Sequence, residues 1–422
     1  MKNKKLFQNI VLISLAVAVF IALVAPAIFS QTLQAPKQEK LLNGLKVLMW
    51  SDAKADKVTI KIRIHAGAAF DPQGREGVMQ LLADNIFPNQ ASREFFAEDL
   101  GGGLEVVTNY DYIQVNASSK PENFLTMLET LSAAVANPSI DKDTTVNLRN
   151  ALITKVAALE ADPSYVADRA VAKRLFGTFP YGRSQYGTTD SIKKIDFADL
   201  IDAKGRFLTA DNATITISGN FDRTLGFKAI RRYFGGWLKA DKKVPSTFRQ
   251  PDSPIATVLT IASPRADSYA VRYAIRGVAR NDKDLYASHL FTNIIETRLK
   301  SRVPAGDIFV RNETHTLPGM VIVGFGGEGN GADRAEVDAI ILRSLHEPIT
   351  DTEFQAAKRT LEAEWSAKDV QSVWLDSDTY NLRPEAYKVV NAVTLDDVRS
   401  YAGKFLKLPV AATFVHTPAY TN

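Results

Sequence analysis

One pattern occurs twice in this chain of 422 residues, and the repeat limits the fold more than any other feature. Asp199 and Asp397 are each followed eight residues later by a phenylalanine, Phe207 or Phe405. Both pairs are therefore offset by 198 residues (397 − 199 and 405 − 207). Each block has the periodicity of a helix and is followed by a run typical of a strand. Two copies of one order of elements predict duplication of a domain of roughly 200 residues.

Local patterns predict the content of each copy. Residues Val58 to His65 alternate between apolar and polar side chains, which is typical of a half-buried strand. Helices are expected over Glu76 to Phe87 and over Pro163 to Phe176. A hairpin is expected around Asn109-Tyr110-Asp111. The order of strand, helix, two strands and helices recurs in both halves. It predicts an α+β fold of two homologous domains, each a mainly antiparallel sheet packed with helices.

Composition shifts predict the domain boundaries. Residues 35–238 form the expected N-terminal domain and residues 257–422 the C-terminal one. The linker between them, residues 239–256, carries a lysine cluster and three prolines and has little periodicity.

The first 30 residues are organised like a secretory signal peptide. Basic residues Lys2, Lys4 and Lys5 precede an apolar run from Ile10 to Val24, and Ala25-Pro26-Ala27 offers a small-x-small cleavage pattern. The run is short for a membrane span, which needs about 20 residues. Export from the cytoplasm is therefore predicted, with an uncleaved membrane anchor as the alternative.

Composition excludes several kinds of site. The chain contains no cysteine, so disulfides, thiolate metal sites and cysteine nucleophiles are ruled out. Its 51 basic and 47 acidic residues leave a net charge of +4, too balanced to favour nucleic acid as a partner. No two of the 5 histidines lie four residues apart, so no helical face carries a pair of imidazole ligands.

Several segments, taken in order, match the pattern of one known family. They are Leu42 to Val47, Gly77 to Leu82, Pro180-Tyr181-Gly182 with Gly187, and Asn212 to Asp222. In that order they resemble the opening strand, the start of the zinc helix, the Pro-Tyr-Gly-x-x-x-x-Gly block and the strand that closes the first domain of the pitrilysin/insulinase family of zinc peptidases. The resemblance covers essentially the whole mature chain and implies the family's two-domain fold.

The resemblance also shows what this chain lacks. Active family members carry His-x-x-Glu-His, in which the two histidines bind zinc and the glutamate acts as general base. The matching positions here are Gln80, Ala83 and Asp84. A distal glutamate ligand of the family falls at Lys155 or its neighbour Thr154. The resemblance therefore implies no catalytic residue, no metal ligand and no cofactor in this chain.

Two carboxylates keep a weaker alternative open. Asp84 and Glu160 lie on the two helices that hold the family's zinc, and without imidazole they favour a weakly bound hard cation over zinc. The interpretation favoured by the sequence is two surface carboxylates on separate helices.

Some bacterial members of the family form a split enzyme. Its zinc-free subunit contributes an Arg/Tyr pair, in a pattern resembling Arg-Glu-Lys-x-Gly-Leu-Ala-Tyr, that orients the substrate. Here Arg302 and Gly306 fit that spacing, and Phe309 stands where the tyrosine would be. Arg302 and Phe309 are therefore the candidate substrate-binding residues, without the tyrosine hydroxyl. A solvated loop arginine beside a core phenylalanine is the alternative.

These observations predict a non-catalytic, peptide-binding subunit of a periplasmic heterodimeric zinc metalloendopeptidase. Its partner would be a zinc-bearing homologous subunit, and its ligand a peptide substrate. The alternative is a stand-alone peptide-binding or scaffold protein, for instance a homodimer, with no role in proteolysis.

Overall fold

The computed structural model describes residues 35–240, 248, 251–254, 257–303, 307–329, 331, 334–384 and 389–417. The predicted signal peptide, residues 1–30, and most of the predicted linker lie outside the described residues. The boundaries predicted for the linker therefore stay a prediction. In the part of the chain that is described, no helix is both long and apolar enough to cross a membrane.

The strands form two sheets. In chain order they are β1 Lys37–Lys40, β2 Lys46–Ser51, β3 Val58–Ile64, β4 Gly103–Thr108, β5 Ile113–Ser119, β6 Ala213–Gly219, β7 Val258–Ala262, β8 Ser268–Arg276, β9 Phe309–Glu313, β10 Met320–Glu328 and β11 Val410–His416.

The helices lie in groups between these strands. In chain order they are α1 Val78–Asp84, α2 Gln90–Glu94, α3 Phe124–Ala136, α4 Lys142–Glu160, α5 Pro163–Phe176, α6 Thr189–Lys193, α7 Phe197–Phe207, α8 Arg223–Phe234, α9 Leu285–Arg302, α10 Arg334–His346, α11 Asp351–Ser366, α12 Val370–Tyr380, α13 Val389–Ala392 and α14 Leu395–Phe405.

Both sheets follow one topology. The six-stranded sheet has the order β1-β2-β6-β3-β5-β4 and the five-stranded sheet the order β7-β11-β8-β10-β9. In each, one pair of strands is parallel, β2 with β6 and β7 with β11, and the remaining pairs are antiparallel. Without β1, the two orders match strand for strand. This confirms the predicted α+β fold of two homologous, mainly antiparallel domains.

The repeated sequence blocks occupy equivalent helices. Asp199 lies three residues after the N-cap of α7, and Asp397 lies three residues after the N-cap of α14. Each carboxylate accepts a hydrogen bond from the backbone N–H of the N-cap residue, which completes a capping box. Phe207 and Phe405 end the two helices and are buried. The repeat therefore preserves a helix start and a core anchor.

Each half has its own apolar core, and each also lends one helix to the other half. Helix α5 packs on the second sheet, where Ala167 joins Ala270 of β8 and Val415 of β11 in one buried cluster. Helix α12 packs on the first sheet, where Gln371 bonds Thr59 of β3. We call α5 and α12 the exchanged helices.

The outer face of the first sheet is polar, and α12 covers it. Gln371 Nε2 donates to the Thr59 carbonyl at 3.2 Å and to Thr216 Oγ1 at 3.1 Å. Lys61 Nζ donates to Asp369 Oδ2, just before α12, at 2.8 Å. Gln371 and Thr216 are buried, so their polar groups need partners within the fold, whereas the Lys61–Asp369 pair is partly exposed. This face of the first sheet is therefore complementary to α12, a helix that presents polar side chains to it.

Candidate functional site

Helix α1 stands where the family resemblance places the zinc helix. Its N-cap residue Gly77 has a φ of 106°, a left-handed conformation that favours glycine. The buried Asp71 carboxylate accepts from the backbone N–H of Gly77 and of Met79, each at 2.8 Å. These bonds satisfy backbone donors that have no partner within the helix. The frame that orients α1 is therefore intact.

The side chains at the zinc positions bond to each other. Gln80 Nε2 donates to Asp84 Oδ1 at 2.8 Å, and Ala83 between them is buried. Burial raises the pKa of Asp84, although the Gln80 hydrogen bond and the charges of Lys155 and Arg93 oppose the rise. Lys155 of α4 also lies 4.4 Å from the centre of the Tyr186 ring.

Glu160 is engaged elsewhere. Its carboxylate accepts from the Thr189 hydroxyl at 2.8 Å and from the Thr189 backbone N–H at 3.3 Å, at the start of α6. The carboxylate thus stabilises the N-terminus of a helix. Hydrogen bonds give Asp84 and Glu160 different partners, Gln80 and Thr189, so none of these bonds brings the two carboxylates together.

The residues present do not fit the family's zinc ion. Zinc in catalytic sites takes three protein ligands from His, Cys, Asp or Glu, and across the described ranges no three such side chains form a group able to hold a metal. Of the two residues matched to the distal ligand, Thr154 offers only a hydroxyl and Lys155 carries an ammonium group whose charge repels a cation. Ala83 has no group that could take a proton from water. We derive no chemical step through a metal at this helix.

Arg302 ends α9 and links it to α10. Its Nη1 atom donates to Ser344 Oγ at 2.9 Å, and its Nη2 atom forms an ion pair with Glu347. Arg343 Nε donates to the other oxygen of Glu347 at 2.8 Å. The Arg302 side chain is 32% exposed, so part of it still faces solvent.

Phe309 begins β9 and lies between two arginines. The guanidinium carbons of Arg272 and Arg311 are 4.9 and 4.8 Å from the centre of its ring. Both arginines also bind Asp168 of α5, at 2.5 and 2.7 Å. Phe309 therefore packs against the contact between α5 and the second sheet. Arg302 and Phe309, the two residues predicted to bind substrate, thus contact different groups. A joint role of Arg302 and Phe309 in peptide binding stays a prediction.

Two strand edges are the feature that the sequence analysis missed. Strand β4 is the last strand of the first sheet and β9 the last strand of the second. Within the described residues each pairs on one side only, β4 with β5 and β9 with β10. Most residues of β4 are half-buried rather than buried, and β4 packs against α1. Such an edge can accept an extended peptide as a further strand. Sequence patterns show strands but not which of them lie at an edge.

The fold and helix α1 define a class of protein. It has two homologous peptidase-like domains and lacks the metal ligands on α1. Two family models match the chain. The model described as "Insulinase (Peptidase family M16)" matches residues 46–189, and "Peptidase M16 inactive domain" matches residues 194–361. Together they span well over half of the chain. The chain belongs to the peptidase M16 family.

Curated relatives agree with this family. An "Uncharacterized zinc protease" of Rickettsia bellii is 21% identical over 210 residues, and the match spans 48% of this chain but only half of that protein. A "Cytochrome b-c1 complex reductase subunit, mitochondrial" of Candida albicans is 21% identical over 86% of this chain and 87% of its own length.

Solved structures share the fold. The "peptidase M16 inactive domain" of Pseudomonas fluorescens superposes with a TM-score of 0.81 at 17% identity, covering 92% of this chain and 99% of that one. The "periplasmic protease PqqL" of Escherichia coli superposes with a TM-score of 0.69 at 17% identity, over 91% of this chain but 48% of that protein. This chain thus spans about half of the second structure.

Proposed function

We propose that the chain is a non-catalytic, peptide-binding subunit of a periplasmic heterodimeric zinc metalloendopeptidase. Its partner is a zinc-bearing homologue that supplies the catalytic site. The observation that carries this proposal is the state of α1. The helix is held in place by Asp71 and Gly77, while its zinc positions are Gln80, Ala83 and Asp84.

The zinc ligands are absent from α1, but the contacts that hold this helix in place are kept. This combination favours a role in binding peptide that was retained after catalysis was lost. The Gln80–Asp84 hydrogen bond and the nearby Lys155 charge stabilise the helix surface where a cation would otherwise be held.

The two-domain frame supports a paired assembly. The chain spans about half of a periplasmic protease with the same fold, and a partner of similar length would complete an assembly of that size. Residues 1–30, read as a signal peptide, support the same compartment.

Peptide binding is supported by the edge of β4. This edge lies beside α1 and pairs only with β5 among the described strands. An extended peptide paired to β4 would gain backbone hydrogen bonds without depending on its sequence. The partner would place its zinc site against such a strand.

The test is reconstitution from residues 31–422 and a zinc-motif homologue from the same organism. We expect the chain alone to be metal-free and inert, to form a stable complex with the homologue, and to raise its peptidase activity at least about ten-fold. The variant Val106→Pro, in the middle of β4, should weaken peptide binding because it disrupts the edge. The control is Lys37→Pro, on β1 at the opposite edge of the same sheet. Failure of every such homologue to bind or respond would refute the proposal.

Arg302 is tested against a matched neighbour. Arg302 and Arg343 bind the same carboxylate, Glu347. If Arg302 contacts the peptide, Arg302→Ala should raise KM several-fold while Arg343→Ala leaves KM unchanged. Equal KM values in the two variants would show that Arg302 does not contact the peptide and serves only to link α9 to α10.

A stand-alone scaffold is the second candidate, and one observation favours it. The relative from a respiratory complex aligns over 86% of this chain. Under this alternative the purified chain forms a stable homodimer and does not change the activity of any zinc-bearing homologue.

A further inference from the structure

A cavity of about 390 Å³ lies between the two halves of the fold. Its walls come from the β4–β5 turn, from the end of β9, and from α9, α11 and α12. It is unrelated to the positions of the degenerate zinc motif on α1. The residues that matter for its chemistry are Arg280, His289, Asn312, Glu313, Trp365 and Lys368.

One end of the cavity is rich in nitrogen donors. Arg280 Nε is buried and has no hydrogen-bond partner among the described residues. Lys368 Nζ lies 4.1 Å from the centre of the Trp365 ring; no described carboxylate comes within ion-pair distance of it. The ring nitrogens of His289 likewise have no hydrogen bond to any part of the chain that the structure describes. The buried Arg280 Nε is costly without a partner, and the partly exposed Lys368 and His289 lie beside it, so this end favours an acceptor.

The cavity is also lined by three carboxylates, Glu313, Glu364 and Asp376, and none of them forms an ion pair with Lys368. Asp376 uses both oxygens, since Oδ1 accepts from Arg63 at 2.9 Å and Oδ2 from Arg280 at 2.8 Å. Glu364 is exposed at the rim of the cavity, where water screens its charge. Arg63 and Arg280 therefore share the partly exposed Asp376 carboxylate, while Lys368 has no ion-pair partner among the described residues.

The two titratable nitrogen groups, Lys368 and His289, both have lowered pKa values. Burial lowers the pKa of Lys368, and the charge of Arg280 lowers it further, while the charges of Asp376 and Glu364 oppose the shift. Burial also lowers the pKa of His289 to about 4, with added repulsion from Arg280 and Lys368. The imidazole is therefore neutral at pH 7, and an anion beside it would make protonation easier.

The other end of the cavity offers an acceptor. Asn312 Nδ2 donates to Ser288 Oγ at 3.0 Å, whereas its Oδ1 atom is buried without a partner in the described structure. Glu313 lies beside it and pairs with Arg311 at 3.4 Å, while His315 pairs with Asp111 at 3.1 Å. An N–H group of a ligand would satisfy Asn312.

We propose that this cavity binds a carboxylate that has an N–H donor close to it, as found in a free amino acid or at the C-terminal residue of a peptide. The carboxylate lies among Arg280, Lys368 and His289, and the N–H group faces Asn312. The site belongs to this chain alone, so it goes beyond the proposed subunit function and is tested without a partner.

The first test is titration calorimetry of the purified chain with four probes in a chloride buffer. Alanyl-alanine should bind, and its C-terminal amide should bind at least about ten-fold more weakly, because charge-assisted hydrogen bonds are lost. Alanine binding as tightly as alanyl-alanine identifies a free amino acid, and weaker alanine binding identifies a peptide terminus. Acetate binding as tightly as alanyl-alanine, or no binding of any probe, would overturn the proposal.

The second test uses variants and the histidine ring signals. Lys368→Met should weaken binding of alanyl-alanine at least about five-fold, while Lys300→Met, on the outer surface of α9, leaves it unchanged. Lys368 has no ion-pair partner among the described residues, so its variant is expected to fold. Saturation with alanyl-alanine should raise the pKa of His289 measured by NMR. An unchanged affinity in Lys368→Met, or an unchanged His289 pKa at saturation, would contradict the assignment.

Discussion

The Nη1 atom of Arg63 lies 2.9 Å from Oδ1 of Asp376 and joins the first sheet to a helix from the second half of the chain. Arg63 is only 2% exposed, and Tyr112 stacks on its guanidinium with 3.9 Å between the guanidinium carbon and the ring centre. The same arginine donates to Gln114 and Thr379. The polar face of the first sheet thus depends on α12, 313 residues away in sequence.

Removing the charge of Asp376 tests this dependence. Asp376→Asn leaves Arg63 and Arg280 without their shared carboxylate, and we expect the free energy of unfolding to fall by about 3 kcal/mol. Urea denaturation would measure the change. Asp202→Asn is the control, because the exposed Asp202–Arg206 pair should contribute less than about 0.5 kcal/mol. Equal effects of the two variants would contradict the role assigned to Asp376.

A second ion pair predicts a dependence on pH. Glu353 accepts from Nε of Arg298 at 2.6 Å and from Nη2 at 2.9 Å, and mainly this contact lowers its pKa to about 2. In the folded state the pKa of Glu353 lies below 4.5, the ordinary value for a glutamate. The ion pair therefore stabilises the fold fully above pH 4.5. That stabilisation is lost as the pH falls from about 4.5 towards 2.

The variant Glu353→Gln should therefore destabilise the protein by about 2 kcal/mol at pH 7, allowing for the partial exposure of Glu353, and by less at pH 3. Denaturation at both pH values would measure this. Glu122→Gln, at an exposed position, should change the free energy of unfolding by less than about 0.5 kcal/mol at either pH. A loss in Glu353→Gln that does not depend on pH would exclude the ion pair as its source.

Restoring zinc ligands tests the placement of the lost site. The triple variant Gln80→His, Asp84→His, Lys155→Glu should bind about one zinc ion per chain, since it supplies three protein ligands in the family's arrangement. The double variant that keeps Lys155 should bind zinc more weakly because the ammonium group opposes the cation. Metal analysis after dialysis measures both. A folded triple variant without zinc would show that α1 and α4 were matched to the family incorrectly.

Packing of Phe309 on β10 gives a steric prediction. A Cβ atom on Gly324 would lie 2.3 Å from Cζ of the Phe309 ring. Gly324→Ala should therefore lower the free energy of unfolding by about 1–3 kcal/mol, measured by urea denaturation. Gly205→Ala in α7, where a Cβ atom meets nothing within 4 Å, should instead raise it by about 0.5–1 kcal/mol. A neutral Gly324→Ala would mean that the ring moves aside freely.

Local patterns predicted much of the first half correctly. The predicted helix from Pro163 to Phe176 has the observed bounds of α5, and the predicted strand from Val58 matches β3 to within one residue. The hairpin around Asn109-Tyr110-Asp111 is confirmed by β4 and β5. These elements were predictable because proline caps, turn residues and alternation act between neighbours in the chain.

The candidate site was only partly predictable. The positions of Gln80, Ala83 and Asp84 on a helix followed from sequence, but their hydrogen bonding did not. Nothing in the local pattern of Arg302 indicated that Glu347 would be its partner. The cavity around His289 also could not be anticipated, because its walls come from segments more than 200 residues apart. Side chains that meet across such distances leave no periodic signal.

The sequence by itself determined the helices and strands of the first half, the duplication and the absence of a His-x-x-Glu-His motif, because each depends on residue type and order along the chain. Only the tertiary structure decided that α5 and α12 are exchanged between the halves. That exchange follows from packing and charge, since each sheet face accepts a helix whose apolar or polar groups complete it, wherever that helix lies in the chain.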